Sequence, residues 1–72
     1  MNEINVLVVS AEEADHGVAE FWCDGELIGV TCLNDGRLQL RIESRADGDP
    51  WRLDTTSLAT GLAQATRLIA SY

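Results

Sequence analysis

The chain is poor in cysteine, histidine and basic residues, and it contains no long apolar run. Two cysteines in 72 residues are too few for a disulfide framework. The hairpin register derived below does not set Cys23 opposite Cys32, so both read as reduced core thiols. No apolar run approaches the roughly 20 residues of a membrane span. The opening Met1-Asn2-Glu3 lacks the basic segment of a signal peptide. A soluble, cytoplasmic chain is expected.

The scarcity of arginine leaves twelve acidic against five basic residues and a formal charge of −7. Such a balance repels a phosphate backbone unless the cations are gathered on one face, and otherwise mainly confers solubility. The densest acidic stretch, Glu12-Glu13-Ala14-Asp15, reads as part of a solvated loop over residues 10–17. The length allows one small domain over residues 1–72, which buries only about 60% of the surface its unfolded form exposes. Domains of this size commonly gain stability from disulfides, metals or self-association.

What is present is a pair of short glycine turns, Asp24-Gly25 and Asn34-Asp35-Gly36, separating strand-length pieces. Ile4 to Val9 is a β-branched run that suits a first strand. Val18 to Cys23, Glu26 to Leu33 and Arg37 to Arg45 follow as three more. Asp-Gly suits a two-residue type I′ hairpin, and Asn-Asp-Gly suits a three-residue loop. These loops set Cys23 opposite Glu26 and Leu33 opposite Arg37. One face then holds Ala19, Phe21, Cys23, Ile28, Val30, Cys32, Leu38, Leu40 and Ile42, with no charge among them.

Ala46 to Pro50 is a turn by composition, and a helix is predicted from about Thr55 to Tyr72 with Asp54 as the preferred N-cap and Thr56 or Ser57 as competitors. Leu58, Leu62, Ala65, Leu68, Ile69 and Tyr72 form its apolar stripe. Gly61 lies in that stripe, where glycine costs about 0.5–1 kcal/mol relative to alanine. Close approach of the helix to the sheet is the expected compensation. The predicted architecture is α+β: a four-stranded antiparallel sheet, with strands 2–4 as a meander and one C-terminal helix on one face, ββββα. Pattern alone leaves the first strand beside either the second or the fourth. This order of strands and helix resembles the small β-β-β-α domains of HicB-type antitoxins and other acidic partner-binding modules. That likeness is one of topology over most of the chain and transfers no functional residue.

One helix cannot cover both sheet faces. The second face carries Trp22 opposite Leu27, flanked by Val18 and with Leu33 further along the same strand. A tryptophan and three aliphatic residues outside the core need a cover, either from the chain itself or from another chain. Val18, Trp22, Leu27 and Leu33 are therefore the candidate interface of a homodimer or of a complex with a protein partner. Arg37, Arg41 and Arg45 share that face with Trp22, which makes nucleic-acid binding the alternative, although Glu20 and Glu43 among them cancel much of the field.

Candidates for chemistry are sparse. His16 stands in the acidic loop with no nucleophile placed near it. His16, Cys23 and Cys32 match no zinc spacing, and Asp47-Gly48-Asp49 lacks the later ligands of a calcium loop. No catalytic, cofactor or metal site is assigned. The reading is a non-catalytic acidic interaction module.

Overall fold

The structure, a computed structural model, describes residues 3–72. Met1 and Asn2, on which part of the signal-peptide reading rests, lie outside the described residues. The elements are β1 (Ile4–Leu7), α1 (Ala11–Asp15), β2 (Glu20–Cys23), β3 (Glu26–Asn34), β4 (Arg37–Ile42) and α2 (Thr55–Ala70). The strands form one antiparallel sheet in the order β1-β2-β3-β4, so the first strand pairs beside the second. The ββββα architecture is present, with α2 packed on the sheet.

The stretch predicted as an acidic loop contains the short helix α1. Ser10 caps it by accepting a hydrogen bond from the Glu13 amide at 3.1 Å, and the Glu13 carboxylate accepts from the Val9 amide at 3.3 Å. This reciprocal use of a serine and a glutamate three residues apart is a helix-start signal that outweighs the acidic composition. α2 begins where expected, because the Asp54 carboxylate accepts from the Ser57 amide at 2.9 Å.

Both hairpins are two-residue loops. Asp24-Gly25 and Asp35-Gly36 each place two successive residues at positive φ, 51° and 79° in the first and 53° and 76° in the second. That is the type I′ requirement. Asn34 consequently belongs to β3 and stands opposite Arg37, where a three-residue loop would have set Leu33 there. A second irregularity lies in β3 itself. Trp22 pairs with Leu27 but Phe21 pairs with Gly29, so Ile28 is an extra residue in a β-bulge.

These two one-residue changes cancel at β4. Leu38, Leu40 and Ile42 still share the face of Phe21, but they stand opposite Leu33, Thr31 and Gly29. Between the changes, β3 is turned over. Val30 and Cys32, predicted to lie in the core, belong to the other face, and Leu33, predicted to lie beside Trp22, belongs to the face of Phe21. Thr31 occupies the position in their place and is 1% exposed.

The core sits between α2 and the β1–β2 half of the sheet. Ile4, Val6, Ala19, Phe21, Cys23, Ile28 and Ala65 form it, with Trp51 and Leu53 of the connecting loop packed against them. α2 lies against the sheet at Gly61, where a methyl group would meet Phe21 and Val6 at 3.4 Å, a distance that does not require glycine. Leu62, placed on the apolar stripe by periodicity, is 41% exposed. The cover does not extend across the sheet, and Leu38 and Ile42 are exposed on the helix side.

Candidate interaction surface

The face opposite α2 is built from alternate residues of all four strands. Asn5, Trp22 and Leu27 form one row across the sheet, and Leu7, Glu20, Val30 and Arg41 form the next. Cys32 opposite Gln39 and Asn34 opposite Arg37 complete it. Trp22, Leu27, Val30 and Cys32 are each half-buried by their neighbours within the sheet, and Leu7 is 48% exposed. Among the described residues, α2 and the Trp51–Leu53 segment pack against the core from the other side, and α1 packs against α2. The result is an open sheet face with an aromatic and aliphatic centre.

Polar groups on this face are largely engaged with one another. The indole nitrogen of Trp22 donates to the Glu20 carboxylate at 3.1 Å, which fixes the ring along its own strand. Val30 stands between Glu20 and Arg41 and keeps the two charges apart. Arg41 pairs instead with Glu43 at 3.5 Å, both side chains well exposed. Asn34 donates to Gln39 at 3.4 Å.

Of the four predicted interface residues, Trp22 and Leu27 are opposite each other as expected. Val18 precedes β2, half-buried, with its amide donating to the Glu13 carbonyl at 2.8 Å. Leu33 is the misplaced member; its side chain abuts Gly17 on the opposite face. Val30 and Cys32 are the residues that sequence reasoning missed. The available signal was Gly29, because a glycine inside a strand often marks a bulge and thus a change of face.

The arginine row is shorter than predicted. Arg37 and Arg41 lie on the open face, but Arg45 turns toward Glu26, at 3.3 Å, and Asp47, at 3.5 Å. Its guanidinium also stacks 5.0 Å from the Trp51 ring centroid. Arg45 thereby pins the connecting loop over the hairpin end of the sheet, and Trp51 adds a hydrogen bond from its indole to the Glu43 carbonyl at 2.9 Å.

His16, Cys23 and Cys32 belong to different elements. His16 lies in the turn after α1, with Nδ1 2.8 Å from the Glu12 carbonyl. The Cys23 thiol is buried, and that burial, reinforced by the Asp24 carboxylate 3.8 Å away, raises its pKa. A protonated buried thiol is a poor nucleophile. An open groove of about 780 Å³ along β1 is lined by Asn5, Leu7 and Trp22 and by Thr56, Ser57 and Gln64 of α2. Comparison of the chain with protein-family models, with curated proteins and with solved structures gives no significant match.

Proposed function

We propose that this chain is a non-catalytic acidic interaction module that self-associates or binds a protein partner through its open sheet face. The observation that supports this reading is the cluster of Trp22, Leu27, Val30 and Leu7 on a face against which no described element packs. Apolar surface of this kind, with Glu20 between Leu7 and Val30 and with Asn5, Gln39 and Arg41 at its border, fits the anatomy of a protein interface. Tryptophan is the residue type that most often carries the binding energy there.

Solution mass and Trp22 accessibility test it together, with Trp51→Phe used to isolate the Trp22 signal. A dimer that Trp22→Glu dissociates assigns self-association to this face. A dimer that survives Trp22→Glu, with Trp22 open to acrylamide, leaves the face free for a second protein. A monomer in which Trp22 is shielded from the quencher would sink the proposal.

Arg37 and Arg41 share the face with Trp22, and this favours nucleic-acid binding as the second reading. It requires oligonucleotide binding that weakens with salt and with Arg41→Glu. A flat titration at low salt removes it.

A further inference from the structure

The free edge of β4 is the least protected part of the sheet. A sheet edge presents unpaired amides and carbonyls, and natural proteins usually blunt it with proline, inward-pointing charge, a bulge or a covering element. Among the described residues β4 has no proline and no bulge in its pairing with β3, and its charges, Arg37 and Arg41, lie on the open face. It runs six residues, and all three residues on its helix-side face are apolar. Leu38 is 36% exposed and Ile42 is 53% exposed. The other edge, β1, is only four residues long.

Which groups of β4 face outward follows from its pairing with β3. The Glu43 amide donates to the Ile28 carbonyl at 2.7 Å, so the Glu43 amide points inward to β3. Antiparallel strands alternate, so Arg41, Gln39 and Arg37 point inward as well, and Leu38, Leu40 and Ile42 direct their amides and carbonyls to the free edge. The residues that offer backbone hydrogen bonds are thus the residues with apolar side chains.

We propose that β4 pairs antiparallel with β4 of a second copy of this chain, about a two-fold axis at Leu40, joining the two sheets into one. This rests on reading the chain as an interaction module, but it places self-association at the β4 edge and leaves the open face to a protein partner. In this register Leu38 stands opposite Ile42 of the second copy, and Leu40 opposite Leu40. Arg37 stands opposite Glu43, and Gln39 opposite Arg41. The three outward-pointing positions form a ladder of about six inter-strand hydrogen bonds. Opposite charges face each other twice, and apolar groups face only apolar groups.

The neighbouring registers fail on charge. An axis at Gln39 sets Arg37 against Arg41 twice. An axis at Arg41 sets that arginine against itself. Registers with the axis between residues oppose apolar to polar faces and inward to outward backbone groups. The chosen register exchanges the exposed Arg41–Glu43 pair for a pair between Glu43 and Arg37 of the second copy. Both open faces lie on one side of the joined sheet and both α2 helices on the other, so the pairing leaves Trp22 uncovered.

Sedimentation equilibrium of the full chain at tens of micromolar tests the pairing. Wild type is expected to be a dimer, and Ile42→Lys a monomer with unchanged circular dichroism. Arg37→Glu and Glu43→Arg should each raise the dissociation constant about tenfold or more, and the double variant should return it toward wild type. The amides of Leu38, Leu40 and Ile42 should gain protection from hydrogen exchange as concentration rises. A wild-type monomer overturns the pairing, as does a dimer unaffected by Ile42→Lys or a double variant no tighter than the singles. A dimer lost in Trp22→Glu but kept in Ile42→Lys also overturns it, and leaves the open-face reading standing.

Discussion

Thr31 and Gly17 are joined through the threonine hydroxyl, which donates to the Gly17 carbonyl at 2.8 Å and accepts from the Ala19 amide at the same distance. The Thr31 amide in turn donates to the Ala19 carbonyl at 2.9 Å. One side chain thus completes the sheet where β2 has stopped and the chain arrives from α1. It also satisfies two backbone groups that water cannot reach.

Replacing that hydroxyl by a methyl group should be costly although the shape is conserved. Thr31→Val leaves a buried amide and carbonyl without partners, at about 1–3 kcal/mol. Thr31→Ser keeps the hydroxyl and should lose less. Urea denaturation midpoints for the three proteins check the order, and a Thr31→Val protein as stable as wild type would refute the role.

Gly29 tolerates no side chain. A methyl group there would overlap the Arg41 carbonyl oxygen in the backbone of β4. Because backbone cannot rotate aside, Gly29→Ala should cost about 2–3 kcal/mol and lower the thermal midpoint. The loss should come with a disturbed β3–β4 pairing, seen as selective loss of amide protection in those strands.

Gly61 behaves in the opposite way. A methyl group at this position meets Phe21, Val6 and Ile4 at 3.4–3.5 Å, which is ordinary contact. Gly61→Ala should therefore stabilise the protein by about 0.5–1 kcal/mol through helix propensity alone. Gly61→Leu should destabilise it by wedging α2 from the sheet. Thermal melts of the two variants shift in opposite directions if the spacing is as described.

The two thiols should separate by reactivity and by pH. Cys32 is half-buried on the open face and Cys23 is in the core, so iodoacetamide should label Cys32 first in the native protein. Because burial raises the Cys23 pKa above its ordinary value of about 8.5, the native state holds this proton more tightly than the unfolded chain. The associated stability is complete below that ordinary value and is lost as pH rises through the folded-state pKa. Cys23→Ala should flatten the alkaline limb of the stability curve, and an unchanged limb would assign it to other groups.

The ββββα order, the first hairpin, the Asp54 cap and the Trp22–Leu27 pair were all legible in the residues. They rest on strong local chemistry: positive φ at Asp-Gly, a carboxylate facing free helix amides, and alternation near a tight turn. The second half of β3 was not legible. Leu27, Ile28 and Val30 are all apolar, so alternation cannot register an extra residue among them, and Asn34 has the composition of a loop while its backbone is a strand. The open surface therefore kept its centre at Trp22 but exchanged Leu33 for Val30 and Cys32.

The helix that seals the core binds strands distant from it in sequence, since Gly61 lies against Ile4, Val6 and Phe21. The β3–β4 hairpin, by contrast, is local and needs no helix to close it. During synthesis the hairpin can therefore form before α2 has emerged, whereas β1 and β2 must wait for it with their apolar side chains in water. For that interval the nascent chain depends on its acidic charge to stay dispersed, and truncation before residue 61 should convert it from a folded protein into a client of chaperones.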